Sequence, residues 1–265
     1  MNFFERHTKK ILITLILIMM LIILMFPGFF KYLSELPTFS LYVIFLFLVA
    51  CFFIYKLYAN KKRVIALEEY AEKFNYEFYE KPDEAQTSLF KEFSSTKIIN
   101  NEDKFFNLLV PKDDNGTKPL IVTGKSEIGG GESSHTYYTQ IFLYKHNTDL
   151  PKFYIQRKTK LDIIFGKIRE RTASNETGIK LYKFKKKKFP HNKYFFFSED
   201  PNIENFITNE FIELLKIGII KKKALINIES NGKNLIFYKQ WSRHSLELMD
   251  YYSNLFKVIK ESLIK

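Results

Sequence analysis

Gly124-Lys125-Ser126, the triplet Gly129-Gly130-Gly131 and then Ser133-Ser134-His135 set phosphate-capturing and nucleophilic residue types within one short segment. A P-loop wraps phosphates in backbone N–H groups while its Lys and hydroxyl meet phosphate and Mg²⁺. Its pattern is Gly-x-x-x-x-Gly-Lys-Ser/Thr. The first glycine would fall at position 119, which is Pro119. The required helix is not signalled either. The glycine triplet would break one, and "HTYYTQIFLY" is rich in β-branched and aromatic residues. The segment reads as a β-hairpin with "GGGESS" as its connection. Period-two alternation then predicts one buried face holding Tyr137, Thr139, Ile141 and Leu143, or the opposite set.

A serine beside a histidine invites an acyl-transfer reading, but a catalytic triad is defined by geometry and an orienting acid, and no Gly-x-Ser-x-Gly is present. A hydrolase or transferase site near His135, assembled from Ser133, Ser134 and distant acids, is one alternative function. His135, His146, His191 and His244 lack the His-x-x-x-His or His-Glu-x-x-His spacing of a metal site. Asp113-Asp114 sits in "PKDDNGT", where turn chemistry accounts for it. The one cysteine, Cys51, lies in an apolar run. Everything after it therefore lacks a disulfide, a thiolate metal site and a cysteine nucleophile. No catalytic residue, metal or cofactor is expected.

The strongest local feature is "KFKKKKFPHNK", residues 183–193. Lys183, Lys185, Lys186, Lys187, Lys188 and Lys193, with Phe184 and Phe189 between them, are the candidate lipid-binding residues. Each basic residue near an anionic surface contributes roughly 1 kcal/mol. A second alternative is nucleic-acid binding, with Tyr182, Phe184 and Tyr194 stacking on bases. A plain solvated loop, or an edge strand guarded by lysines against aggregation, would use the same residues.

Two apolar runs set the context for these groups. No charged residue occurs from Ile11 to Phe30, and "LYVIFLFLVACFFIYKLY" fills 41–58. A spanning helix needs about 20 such residues to cross a roughly 30 Å hydrocarbon layer. A cleaved signal peptide fits poorly, because the apolar part is long and Met25-Phe26-Pro27 is bulky where small residues are needed. Basic residues flank the pair outside (Arg6, Lys9, Lys10; Lys56, Lys61, Lys62, Arg63), whereas the loop between holds only Lys31 and Glu35 as charges. The positive-inside rule then places both ends in the cytoplasm. The expected organisation is a transmembrane helical hairpin over 1–63, with spans at about 11–30 and 41–58, and a cytoplasmic domain over 64–265. Net charge agrees with this division. Residues 1–63 hold eight Lys/Arg and two Asp/Glu, and the remainder 33 and 27, so half of the +12 is juxtamembrane.

Beyond residue 63 the pattern changes. Ile65, Leu67, Tyr70, Ala71 and Phe74 recur at helical spacing, "YEFYEK" suggests a strand, and Asp83 can cap a helix through Phe90. Strands are expected at 104–110, 119–126, 135–145, 152–157, 178–184 and 193–198. A helix should run from Pro201 to Gly218 under an Asp200 cap. Asn231-Gly232 should form a hairpin turn with positive φ at both, and a final helix should bury Leu248, Met249, Tyr252, Leu255, Phe256, Ile259 and Leu263. Strands and helices without βαβ alternation predict an α+β fold, here one antiparallel sheet with packed helices.

Taken together, "FNYEFYEKPDE", "TGKS…SSHTYYTQIFLYKHNTDLPKFYIQRK", "FPHNKYFFFSEDPNIENFITNEFIELL" and "INIESNGKNLIFYKQ" resemble a bacterial family of two-helix membrane-anchored proteins with a cytoplasmic α+β domain, the DUF3137 type. Leu150, Pro151 and Phe153 match its Leu-Pro-x-Phe strand. The lysine run and the long "GGGESS" connection depart from it. The resemblance implies a multi-pass protein of the bacterial inner membrane and brings no catalytic residues. The expected function is a membrane-anchored cytoplasmic binding module whose partners are the bilayer, anionic phospholipid headgroups or a protein.

Overall fold

A computed structural model describes the backbone of residues 38–94, 105–113, 116–128, 135–146, 149–158, 179–185, 187–220, 226–239 and 245–263; within these, the side chains of 38–47, 50, 128 and 217–220 are not described. The chain divides into two compact units, Met1–Lys62 and Arg63–Lys265.

In the first unit only part of a helix is described. Helix α1, Thr38–Phe74, contains the second apolar run and the expected helix after it. Residues 51–58 are exposed one after another. The expected first span, 11–30, lies outside the described residues. Among the described residues no helix is long and apolar enough to cross a membrane.

The second unit is built on one eight-stranded antiparallel sheet, which establishes the α+β class. Its strands are β1 (Tyr76–Tyr79), β2 (Phe105–Pro111), β3 (Leu120–Ile128), β4 (His135–Lys145), β5 (Phe153–Arg157), β6 (Tyr194–Ser198), β7 (Asn227–Ser230) and β8 (Asn234–Tyr238). The spatial order is β1-β2-β3-β4-β8-β7-β5-β6. β1 to β4 follow one another, the chain then skips to β5 and β6 at the far edge, and the late hairpin β7–β8 closes the gap. Among the described residues, the helices of this unit after α1 are α2 (Glu84–Lys91), the short α3 (Ile203–Phe206), α4 (Asn209–Ile220) and α5 (Leu246–Leu263).

Local chemistry explains several boundaries. α1 stops where Asn75 takes φ 59°, a left-handed conformation that asparagine tolerates. The Lys118 ammonium donates to the Phe74 carbonyl at 2.9 Å, taking one of the acceptors that a helix end leaves open. α2 starts on a capping box: Asp83 accepts from the Gln86 N–H at 2.8 Å while Gln86 accepts from the Asp83 N–H at 2.9 Å. In β2 the register slips between Phe106 and Leu109. Asn107, at φ 54°, is the extra residue of this bulge.

Both faces of the sheet are covered, and this corrects the expectation for β4. Residues 139–144 are all buried. Alternation sorts them between two cores instead of between core and water. Phe142 and Tyr144 join Phe153, Ile155, Phe196, Ile228, Phe237 and the α4 and α5 side chains. Ile141 and Leu143 join Val122, Tyr154, Phe195, Phe197 and Ile236 beneath Phe90 and Phe93. Burying one such side chain is worth about 1.5–3 kcal/mol.

Three further expectations change. Of the strand expected over 178–184, the described residues 179–184 do not make a strand; Leu181 forms a single bridge to Phe197, after which the chain turns away. The helix expected from Pro201 to Gly218 is two, because Ile207 is extended (φ −83°, ψ 113°), and Thr208 Oγ1 accepts from the Phe211 N–H at 3.0 Å to restart the helix. The second piece runs past Gly218 to Ile220. In the β7–β8 hairpin the turn pair is Gly232-Lys233. Only Gly232 has positive φ (109°), while Asn231 Oδ1 accepts from the N–H groups of Lys233 and Asn234. The stripe of α5 mostly holds: Met249, Tyr252, Phe256, Ile259 and Leu263 are buried, whereas Leu248 is exposed.

Candidate functional site

The Gly124-Lys125-Ser126 segment lies within β3, where Gly124 pairs with Thr139 and Ser126 with Tyr137. Lys125 is paired with Glu127 at 2.7 Å. Backbone N–H groups committed to a strand ladder cannot wrap a phosphate. His135 is exposed at the start of β4 opposite Ile128, and Ser133 and Ser134 lie outside the described residues. Among the described residues no group of three or more His, Cys, Asp or Glu could hold a metal ion.

The lysine run is broken up by the fold. Phe189 is buried and stacks on Phe184, with ring centroids 4.7 Å apart and planes within 7°; both rings pack edge-on against Phe196. These two aromatics belong to the core and are not surface anchors. The Lys187 ammonium donates to the carbonyls of Glu204 and Ile207, the acceptors that the end of α3 leaves open. Glu204, itself buried, accepts from the Lys185 N–H at 2.5 Å and from the Tyr182 hydroxyl at 3.3 Å. Burial, followed by the Glu204 charge, raises the Tyr182 pKa. The segment is therefore strapped to α3 by its backbone and by Lys187. Lys183, Lys185, Lys188 and Lys193 are exposed, and Lys186 lies outside the described residues.

Beside this strap is a cavity of about 290 Å³ lined by Lys158, Leu181, Lys183, Phe184, His191, Tyr194 and Phe195. Two backbone bonds tie the segments around it. The Lys158 N–H donates to the Lys193 carbonyl at 2.8 Å, and the Tyr182 N–H to Phe196 at 2.7 Å. The Lys158 ammonium stands 4.2 Å from the centre of the Phe195 ring, a cation–π distance. His191 Nε2 accepts from the Phe184 N–H at 3.3 Å, which assigns the proton of the neutral ring to Nδ1. Burial first, then the charges of Lys158 and Lys183, hold the His191 pKa below its ordinary value. Tyr194, mainly through burial, is pushed up to about 12 and stays neutral. None of the described lining residues carries a carboxylate.

A larger cavity, about 410 Å³, lies between the last turns of α1 and the start of α5 and is lined by Ala66, Glu69, Tyr70, Lys73, Phe74, Leu246, Glu247 and Asp250. Its described charged walls are three carboxylates, Glu69, Glu247 and Asp250, against one ammonium, Lys73, so it does not suit an anion. The smaller, cationic cavity is the better candidate site for an anion. Of its charged or titratable walls, the sequence singled out Lys183 by the basic run and offered His191 only as one of several scattered histidines. Lys158, 25 residues before Lys183, gave no local signal.

No family model, curated protein or solved structure matches the chain.

Proposed function

We propose that this chain is a membrane-anchored binding module. Two apolar spans, at about 11–30 and 41–58, hold it in a bacterial cytoplasmic membrane with both termini cytoplasmic, and the domain from residue 64 onward recognises anionic groups. The observation that carries the anchor is on α1. Cys51, Phe52, Phe53, Ile54, Tyr55, Leu57 and Tyr58 are all exposed, and consecutive residues point to every side of a helix. A helix apolar all round needs an apolar surrounding, and lipid supplies it without a matched protein groove. The resemblance of the chain to two-helix membrane-anchored proteins of the DUF3137 type supports the same reading. Recognition of anions is supported by exposed Lys183, Lys185, Lys188 and Lys193.

Cys51 is the only cysteine and serves as a native reporter. In membranes carrying the full chain, a membrane-impermeant maleimide should label Cys51 only after detergent is added. Complete labelling without detergent overturns the anchor. For the lysines, acylation of the full chain in nanodiscs is compared between phosphatidylcholine alone and phosphatidylcholine with phosphatidylglycerol. Protection of Lys185 and Lys188 by the anionic lipid is expected, and equal acylation in both removes the surface-lipid reading.

A further inference from the structure

The larger cavity, between the last turns of α1 and the start of α5, lies wholly within the second unit and has walls that helix packing does not require. Glu69 comes from α1, and Glu247 and Asp250 from α5. Among the described residues none of these carboxylates has an ion-pair partner. Lys73 stands one helical turn after Glu69, yet its ammonium lies over the Phe74 ring, 5.1 Å from the centre. Carboxylates gathered on one cavity repel, and a cation between them removes that repulsion. Tyr70 is an independent sign. It is the only buried side chain of the described wall, at 6% exposure, and among the described residues its hydroxyl has no hydrogen-bond partner. What stays accessible of it faces the cavity. Burial first, then the Asp250 charge, pushes its pKa up to about 12, so the hydroxyl keeps its proton and its oxygen can accept from a ligand N–H.

We propose that this cavity binds an aliphatic diamine, one ammonium at Glu69 on α1, the other at Glu247 and Asp250 on α5, and the methylene chain against Tyr70 and Phe74. Three carboxylates against one ammonium leave two uncompensated negative charges, which match a dication. An inorganic ion suits the walls less well, since among the described residues no three His, Cys, Asp or Glu could hold a metal together. Tyr70 and Phe74, with ring centroids 4.5 Å apart, present instead an aromatic wall that takes both methylene groups and ammonium charge. At about 410 Å³ the space falls within the range of ligand pockets, about 300–1,000 Å³. The site is opposite in charge to the lysine surface and depends neither on that surface nor on the membrane anchor.

The test is calorimetric titration of the full chain in phosphatidylcholine nanodiscs with 1,4-diaminobutane, the heats of empty discs subtracted. Saturable binding of one diamine per chain is expected, with n-butylamine, which has one charge, at least about tenfold weaker. Asp250→Asn should weaken binding about tenfold, the loss of one charge-assisted contact. Glu247→Gln, on the exposed rim, should do the same and serves should Asp250→Asn fail to fold. Tyr70→Phe, which removes only the hydroxyl, should weaken it about threefold. Glu210→Gln, exposed on α4 and outside the cavity, makes the same change in net charge and leaves binding unchanged. No saturable binding overturns the site, as does Mg²⁺ binding where the diamine does not. Equal effects of Asp250→Asn and Glu210→Gln would mean diffuse attraction and overturn it too. Butylamine as tight as the diamine removes the dication, and an unchanged Tyr70→Phe removes the ligand from this wall. Failure of the proposed function is read separately, at Cys51 and at the acylated lysines, and leaves this outcome intact.

Discussion

Two segments of this chain carry lysines in patterns that suggest anion chemistry, and the fold treats them in opposite ways. Gly124-Lys125-Ser126 is extended within β3 and in register with β4, and Lys125 is paired with Glu127 two residues along the strand. Among the described residues of 183–193 the backbone forms no strand. Its lysines separate into one that caps α3, one that lines a cavity and others that stay in water. A motif with the right letters in a regular strand points successive N–H groups to opposite sides and cannot converge them on a phosphate. An irregular segment pinned by its aromatic residues can hold charges at fixed places around a cavity. Position on the sheet, not residue type, separates the two.

The comparison can be broken most severely at the pin. Phe189→Ala removes a buried ring from the Phe184–Phe189–Phe196 cluster and should destabilise the domain by about 3 kcal/mol or more, as measured by chemical denaturation. A loss under about 1 kcal/mol would mean that the segment is not anchored as described. Next comes the contrast between two lysines. Lys187→Ala strands the carbonyls of Glu204 and Ile207 and should cost about 1–2 kcal/mol, whereas Lys125→Ala, in a partly exposed pair, should cost less than about 1 kcal/mol. Equal losses would erase the distinction. The smallest effect is the pH dependence of His191. Its folded pKa lies below the ordinary 6.5, so the unfolded chain binds the proton more readily. The stabilisation is therefore present above about pH 6.5 and is lost as pH falls through the interval down to the folded pKa. Denaturation midpoints should drop on acidification through this interval, and His191→Gln should flatten that part of the profile.

Much of the sheet was legible because each strand carried its own signal. "YEFY", "FFNLLV", "HTYYTQIFLYK" and "YFFFS" are β-branched or aromatic runs between polar breaks, and their segments fall where expected. The Asp83 capping box was equally local. Features that depend on distant neighbours were not legible. Leu181 and Tyr182 belong to a run that reads as a strand, but Phe184 turns inward to meet Phe189, and the run leaves the sheet after one bridge. The helix starting after Asp200 breaks at Ile207 because Thr208 and Lys187, one next door and one twenty residues away, stabilise the break. The candidate site was half visible. The basic run announced Lys183, while Lys158 reaches the same cavity only through the β5–β6 pairing that sets Arg157 opposite Tyr194.

The sequence alone determined the antiparallel α+β character, the absence of cysteine chemistry beyond Cys51 and the failure of the P-loop pattern at Pro119. These follow from residue type and spacing within a few positions, where backbone preference and side-chain chemistry act directly. The tertiary structure decided that both faces of β4 are buried, that β7 and β8 fill the centre of the sheet, and that one lysine of the run caps a helix while another meets Lys158 across a cavity. Those outcomes depend on which distant surfaces exclude water together, and that is settled only when strands far apart in the chain are packed side by side.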